Sequence, residues 1–323
     1  MSRVSRYHDS FKAFINKRSC LSDIQGSDVY ESIQSHLDNN QYILPILMLT
    51  ITNNQNKKNK VSFLGYYAAS GIEFLRIFLE LSNYRNYYVH EYGIDKYCRI
   101  TNLLIMWCMK SWHQNMDAVK RHLSDDKINK LYSTFTTLLN NKMGIDGLLD
   151  ENPTDKNDVT RSDLHKYYSH RNENELLNLF KEIKHIKKDN MDKMINNKMG
   201  ALSEFVVLIG WILGCGNESQ SSRLIRAGKS FGIMFQIAQD FENIDRDVHR
   251  SKHGTVYNYV INCGIQESYE KFMENKHKFI EEALNLDIFS STVKEIVDII
   301  ESKVDIVIDE TSPDLKSTYS TIC

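Results

Sequence analysis

Four polar side chains follow one another at separations of four, three and four positions, a spacing that places them on one face of a helix: Gln236, Asp240, Asn243 and Asp247. Two carboxylates and two amides on one face are able to bind a ligand or to hydrogen-bond to a neighbouring helix. A solvated helix face has the same composition. The spacing by itself leaves these interpretations open.

Such a stripe requires a long helix, and the sequence predicts one continuous helix from Gly228 to Asp247. Gly228 and Gly232 lie four residues apart, so another helix could approach the backbone closely at both positions. Each interior glycine costs about 1 kcal/mol of helix stability relative to alanine. A second stripe, typical of a buried helix face, is apolar: Phe231, Met234, Phe235, Ala238 and Phe241.

Composition excludes several classes of protein. The chain has 323 residues, of which 41% are hydrophobic, with only 3 prolines and 14 glycines. Scarce helix breakers over this length predict an almost wholly helical protein. The net charge of −2 gives no electrostatic footprint for nucleic acid, and no apolar run reaches the roughly 18–20 residues that span a bilayer. We therefore predict one all-α domain over residues 1–323, with loosely ordered ends, no nucleic-acid partner and no membrane span.

The cysteines and the amino-terminal segment indicate the cellular compartment of the protein. The six cysteines are scattered without C-x-x-C spacing, which is typical of reduced thiols and not of a disulfide framework or a zinc site. The amino-terminal segment MSRVSRYHDSFK lacks the apolar core of a signal peptide. We therefore predict a soluble, intracellular protein of the cytoplasm.

The segment FQIAQDFEN, residues 235–243, resembles the second aspartate-rich motif of the trans-isoprenyl diphosphate synthases, FQIxDDxxD. It is closer still to the FQIxDDxxN form of the geranylgeranyl diphosphate synthase branch. In that family the aspartates hold magnesium, and the magnesium holds a diphosphate. Here Asp240 is the remaining aspartate, while Gln239 and Asn243 stand at the other motif positions. The resemblance implies a magnesium site on Asp240 that is weak or absent.

Three further segments resemble motifs of the same family and occur in the family's order. NKMGALSEFVVLIGWILG, residues 197–214, looks like the KTGxLF helix and places Lys198 at its diphosphate-binding lysine. DVHRSK, residues 247–252, resembles DLxEGK and makes Lys252 a second candidate lysine. MGIDGLLD, residues 143–150, is similar to GQGLDL. Four motifs in order imply an isoprenoid-synthase-like helical bundle around a central cavity.

Gln236 completes the candidate diphosphate site that the resemblance implies with Lys198 and Lys252. A hydrogen bond between helices is the alternative role for this glutamine. Two lysines are able to hold a phosphate without any metal. The resemblance therefore implies an allylic diphosphate or pyrophosphate as the small-molecule partner.

The amino-terminal half departs from the family pattern. ASGIEFLRIFLELSNYRNYY, residues 69–88, looks like the helix that carries the first aspartate-rich motif, but its aspartate positions hold Asn83, Tyr84 and Tyr87. Tyrosine is protonated at neutral pH and asparagine is uncharged, whereas magnesium prefers hard oxygen ligands in octahedral geometry. We therefore predict that the tyrosines fill a drier cavity, with Asn83 facing Asp240 across it.

The cations that hold isopentenyl diphosphate in the family are missing as well. Their positions fall on uncharged or acidic residues: Gln41, Tyr42, Leu44, Glu91 and Tyr92. Losing one charge-stabilising group can cost about 2.7–4 kcal/mol in a reaction barrier, so these losses together predict that prenyl elongation is abolished. Glu80 and Asp95 lie near the lost first motif and are candidates for a displaced carboxylate.

Three interpretations follow from this pattern. The first is a degenerate, catalytically impaired homologue, a pseudoenzyme that binds a diphosphate or pairs with an active subunit. Because non-catalytic members of the family pair with active ones, the resemblance implies a homodimer or a heteromer with a related synthase. The second is an active magnesium-dependent prenyltransferase, or a terpene-synthase-like lyase acting on an allylic diphosphate, with a rearranged metal site. The third keeps the fold with an unrelated function, which the sequence does not separate from the first.

Overall fold

A computed structural model describes residues 2–38, 41–55, 65–142, 156–157 and 162–310. The helices of the first half are α1 Arg3–Arg18, α2 Asp28–Asp38, α3 Ile43–Gln55, α4 Tyr66–Asn83, α5 Arg85–Tyr92, α6 Ile94–Val119, α7 Asp125–Lys142 and α8 Ser162–His170. Those of the second half are α9 Asn174–Glu182, α10 Lys188–Ile195, α11 Ala201–Leu213, α12 Ser221–Glu242, α13 Ile244–Arg250, α14 Tyr259–Cys263, α15 Ile265–Asn285 and α16 Ser291–Asp309. Two-residue strands, β1 Lys156–Asn157 and β2 His185–Ile186, pair antiparallel.

The core is built on α11 and α12, which are buried over most of their length. Helix α11 packs on α3 and α12, α12 packs on α15 and α16, and α4 packs along α6. A helix that is apolar on all sides belongs in a protein interior, and α11 has that composition. Helices α4 and α12 then contribute opposite walls of a central cavity. The predicted all-α bundle around a cavity is therefore confirmed.

The two glycines of α12 allow a close approach to the preceding helix. A Cβ atom at Gly228 would lie 2.6 Å from the Cα of Glu204, and one at Gly232 would lie 2.4 Å from the carbonyl oxygen of Met199. Met199 belongs to a π-helical turn, Asn196–Gly200, between α10 and α11. The close helix contact expected from the sequence is present, and it brings this turn against the polar stripe of α12.

The predicted continuous helix from Gly228 to Asp247 is wrong at one position. Helix α12 ends at Glu242 and α13 begins at Ile244, with Asn243 between them at φ −108° and ψ 12°. The Asn243 Nδ2 group donates to the backbone oxygen of Gln239 at 2.7 Å, and such side-chain bonds to the backbone compete with the helix. The break leaves Asp247 on a separate short helix.

Two segments considered in the sequence lie outside the residues that the structure describes. The segment MGIDGLLD, residues 143–150, and the end of the chain from residue 311 lie there. Within the described part, no helix is long and apolar enough to cross a membrane.

Gly232→Ala is expected to destabilise the protein. Because the new Cβ would meet a backbone oxygen at 2.4 Å, the two helices must separate, and overpacking of this kind costs typically about 1–3 kcal/mol. Gly200→Ala is the matched control, since its Cβ would have its nearest contact at 3.4 Å. Urea unfolding followed by circular dichroism measures both variants. Equal stability of the two would contradict the close contact.

Candidate functional site

A small cavity lies between α4, the π-helical turn and the α12–α13 segment. Its volume is about 70 Å³, whereas one water needs about 10–15 Å³ and small-molecule pockets span about 300–1,000 Å³. The cavity itself has room for a few waters, and it shares Arg76, Glu80 and Gln239 with a larger neighbouring cavity of about 390 Å³. It is lined by Arg76, Leu79, Glu80, Asn83, Tyr84, Lys198, Met199, Gln236, Gln239, Asp240, Asn243, Arg246 and Asp247.

Most of the residues singled out in the sequence meet in this cavity. Asn83 and Tyr84 come from the end of α4, and Lys198 from the π-helical turn. The second-motif positions come from α12 and the break that follows it: Gln236, Gln239, Asp240 and Asn243. Asn83 and Asp240 thus line one cavity, and their facing each other across it stays a prediction.

Lys198 joins the two sides of the cavity directly. Its side chain is buried, with 7% exposed, and its Nζ donates to Oδ1 of Asn83 at 2.7 Å. It sits in the π-helical turn, a feature frequent at functional sites. The residue at the family's diphosphate lysine therefore contacts a residue at the lost first motif. A diphosphate would have to displace Asn83 to reach Lys198.

Asp240 is buried and both of its carboxylate oxygens accept hydrogen bonds. Oδ1 accepts from Nε2 of Gln236 and Oδ2 from the backbone N–H of Tyr259, each at 2.7 Å. Burial raises the pKa of Asp240 well above its ordinary value, although these hydrogen bonds oppose the shift. Gln236 hydrogen-bonds within its own helix.

The remaining second-motif positions carry neutral amides, Gln239 and Asn243. In the part of the chain that the structure describes, no group of three or more His, Cys, Asp or Glu side chains is placed to hold a metal ion. Magnesium needs several hard oxygen ligands around one point. The residues at this cavity therefore do not fit the magnesium cluster that the family resemblance implies.

A run of ion pairs along α4 forms the next layer of the site. Arg76 donates from Nε to Glu73 at 2.8 Å and from Nη1 to Glu80 at 3.4 Å, the spacing at which helical side chains meet. Glu73 is fully buried. The sequence analysis named Glu80 but missed Glu73 and Arg76, although three charges at helical spacing in an apolar helix are a visible signal.

Glu80 also contacts residues outside α4. Its carboxylate accepts from the hydroxyl of Tyr88 at 2.9 Å and lies 3.7 Å from Nδ1 of His36. Burial opposes its ionisation, but the neighbouring His36 and the Arg76 charge hold the pKa of Glu80 well below its ordinary value. Glu80 is therefore an ionised carboxylate with protein partners, and not a free replacement for the lost aspartates. Asp95 is exposed at the start of α6.

Arg250, at the end of α13, is a site residue that no sequence pattern singled out, although it lies within the segment DVHRSK. Its guanidinium carbon lies 4.4 Å from the ring centre of Tyr84, 4.8 Å from that of Tyr87 and 5.3 Å from that of Tyr88. We call these three rings the tyrosine cage. Tyr84 also lines the central cavity, whereas Tyr87 lines two neighbouring cavities. Both tyrosines of the lost first motif thus contact an arginine.

The positions of the family's isopentenyl diphosphate cations contribute no cation here. Tyr42 and Leu44 are fully buried, and Tyr42 packs on Phe11 with ring centres 5.1 Å apart. Gln41 and Tyr92 line a neighbouring cavity of about 390 Å³. Its cations come from other positions, on α4, α13 and α16: Arg76, Arg246, Arg250 and Lys303.

Lys252 is not brought together with Lys198. It lies in a short 3-10 turn after α13, with 48% of its side chain exposed, and its Nζ lies 3.4 Å from Oε1 of Glu175. It is absent from the lining of the central cavity. Its role as a second diphosphate lysine stays a prediction.

Comparison with known proteins establishes the fold. No family model matches the sequence, and no curated protein matches it. Solved structures do match over nearly the whole chain. An FPP/GFPP synthase from Zymomonas mobilis has a TM-score of 0.60 and 12% identity, covering 93% of this chain and 98% of that one. A geranylgeranyl pyrophosphate synthetase from Geoglobus acetivorans has a TM-score of 0.59 and 12% identity, covering 93% and 97%.

A geranyltransferase from Helicobacter pylori, complexed with magnesium and isoprenyl diphosphate, matches equally well. Its TM-score is 0.60 at 14% identity, covering 94% of this chain and 98% of that one. At this level of identity the likeness is one of fold. The protein has the trans-isoprenyl diphosphate synthase fold, as the motifs of the sequence predict.

At about pH 4, Asp240→Asn should be as stable as wild type. As the pH rises further, the variant should become increasingly more stable than wild type. The unfolded carboxyl ionises near its ordinary pKa of 3.8, whereas the folded one keeps its proton to higher pH. Wild type therefore loses stability between these two pKa values as pH rises, and asparagine does not. Its Oδ1 can accept from Tyr259, and its Nδ2 can donate to a rotated Gln236 amide.

Denaturant midpoints measured between about pH 5 and 8 test this pH dependence. Asp247→Asn is the matched control and should cost up to about 3–5 kcal/mol at every pH, because it removes the nearer of the two carboxylates beside the buried Arg250. If Asp240→Asn and Asp247→Asn lost the same free energy of unfolding, Asp240 would be ionised in the folded protein.

Proposed function

We propose that the protein is a degenerate isoprenyl diphosphate synthase-like protein that does not transfer prenyl groups on its own. The observation that carries the proposal is the wall formed by the end of α4. Asn83 and Tyr84 line the same cavity as Asp240 there, at positions where the family resemblance implies metal-binding aspartates.

The chemistry of prenyl transfer makes these substitutions decisive. An allylic diphosphate ionises only when the negative charge on its departing diphosphate is stabilised, which is the work of metal ions and fixed cations. Here two cations that line the cavity have protein partners, since Lys198 hydrogen-bonds to Asn83 and Arg76 to Glu80. The cations nearest the cavity are thus already engaged with protein groups, and the metal ligands of one wall are replaced.

The residual binding activity that we propose is weak capture of a diphosphate by Lys198. Asn83 is a neutral partner, so a diphosphate would replace an amide oxygen with a charged one at Nζ. Because the donor set does not fit magnesium, binding should depend only slightly on the metal. A second lysine, Lys252, contributes only if the turn that carries it moves towards the cavity.

Prenyl transfer should be absent or barely measurable in purified protein. The assay combines magnesium, isopentenyl diphosphate and allylic diphosphates from five to twenty carbons long, and an active synthase serves as the positive control. Turnover comparable to the control would contradict the proposed loss of the metal site. Release of hydrocarbon products without isopentenyl diphosphate would favour a lyase.

Calorimetric titration of pyrophosphate, with and without magnesium, tests the residual binding. Weak binding that is lost in Lys198→Ala and little changed by magnesium is the expected result. Lys252→Ala is the comparison variant, and a loss of affinity there would place the second lysine in the site. Tight binding that requires magnesium would show that a metal cluster forms from other ligands.

We further propose that the protein assembles as a homodimer, or with a related synthase, through the outward face of α6. Among the described residues, large apolar side chains that are strongly exposed include three on this helix: Ile94 at 48%, Met106 at 64% and Met109 at 40%. Exposed apolar groups concentrated on one element are typical of an interaction surface. A single domain over residues 1–323 and a cytoplasmic location stay predictions.

Met106→Lys combined with Met109→Lys should convert the assembly to a monomer, because a buried lysine without a partner is strongly unfavourable. Sedimentation velocity at micromolar concentration measures the change. Ile306→Lys is the matched control, since Ile306 is 59% exposed on α16, and it should leave the dimer intact. A wild-type monomer would exclude the homodimer.

A further inference from the structure

Arg250 is a buried charge that diphosphate binding does not explain. Only 7% of the residue is exposed, and it lies between the tyrosine cage and Asp247 on its own helix. A buried ion pair is tolerated only when its geometry is good and its remaining hydrogen-bonding groups are satisfied. The surroundings of Arg250 should therefore show how its charge is compensated.

Two carboxylates and one hydroxyl compensate the guanidinium through Nη1 and Nη2, while its buried Nε has no hydrogen-bond partner among the described residues. Nη1 donates to Oδ1 of Asp247 at 3.1 Å, and Nη2 donates to the hydroxyl of Tyr88 at 2.8 Å. Glu80 lies 3.8 Å from Nη2. The Tyr88 hydroxyl therefore accepts a hydrogen bond from Arg250 and donates one to the carboxylate of Glu80.

The anion is itself held in place by a third element. Asp247 is 2% exposed, and its Oδ2 accepts from Nδ2 of Asn258 at 3.0 Å. The same Nδ2 group also donates to the backbone oxygen of Asp240. Because Asn258 is fully buried, this bond holds Asp247 in place from a side that Arg250 does not occupy.

Aromatic faces complete the site. All three ring centres of the cage lie within about 6 Å of the guanidinium, the range in which a cation is attracted to an aromatic face. Arginine is suited to such a place, since its planar group can stack on rings while it donates in its own plane. Magnesium, by contrast, needs near-octahedral oxygen ligands at about 2.0–2.1 Å.

We propose that the tyrosine cage, Glu80 and Asp247 form a self-occupied cation site, in which Arg250 supplies the positive charge that joins α13 to α5 and the end of α4. The site selects a planar organic cation of the guanidinium class and rejects a divalent metal. Tyr84 and Tyr87, at the lost metal-binding positions, thus hold a cation that belongs to the chain. The inference stands whether or not the protein binds a diphosphate.

Chemical rescue of Arg250→Ala tests the proposal. The variant leaves the cage and both carboxylates without their cation, so its melting temperature should fall below that of wild type. Millimolar guanidinium chloride should then raise the melting temperature of Arg250→Ala by about 2–4 °C, the shift that roughly 1 kcal/mol produces in a large domain. The same salt should lower that of wild type slightly, because guanidinium is a denaturant.

Sodium chloride at equal ionic strength and magnesium chloride are the control salts, and Arg226→Ala is the control variant. Arg226 is 56% exposed in its ion pair with Glu282, so guanidinium should not rescue its loss. Guanidinium that lowers the melting temperature of every variant alike would overturn the proposal. A larger stabilisation of Arg250→Ala by magnesium would show that the site selects a metal.

If Arg250→Ala does not fold, two variants of Tyr87 test whether the aromatic rings hold the guanidinium. Tyr87→Leu removes one aromatic face from the cage, whereas Tyr87→Phe keeps the face and removes the hydroxyl. The leucine variant should melt at a lower temperature than the phenylalanine variant. Equal melting temperatures would show that the ring does not hold the cation.

Discussion

Burial of the Arg250 guanidinium is the constraint on which the site depends. Removing one member of a buried ion pair costs about 3–5 kcal/mol, so Asp247, Glu80 and the three rings must all stay within reach of this one group. They come from α4, α5, the residue between those helices, and α13. These groups converge on Arg250, and three of them, Glu80, Tyr84 and Asp247, also line the cavity of about 70 Å³.

One fold can carry different charges at its centre. A geranyltransferase of this fold from Helicobacter pylori was crystallised with magnesium and isoprenyl diphosphate. In this chain Lys198 hydrogen-bonds to Asn83 across the cavity, and burial favours a neutral Asp240. Proteins that share this fold can differ in function, because the reaction depends on the charged groups that line the cavity and not on the helices that carry them.

Much of the fold could be predicted because it rests on local patterns. Rare proline and glycine predict helices, and the pair Gly228 and Gly232 predicts the close contact that α12 makes. The break at Asn243 could not be predicted from periodicity, because it arises from a hydrogen bond between a side chain and the backbone of Gln239. The π-helical turn that carries Lys198 likewise leaves no mark in the spacing of apolar residues.

The sequence by itself determined the all-α class and the residue types that stand where metal ligands are expected: Asn83, Tyr84, Tyr87 and Gln239. The tertiary structure alone decided which partner each charged group takes. Arg250 and Tyr88 are 162 positions apart in the chain and bonded at 2.8 Å in the folded protein. Ionisation and pairing depend on burial and on distances between remote segments, and these quantities exist only once the helices have packed.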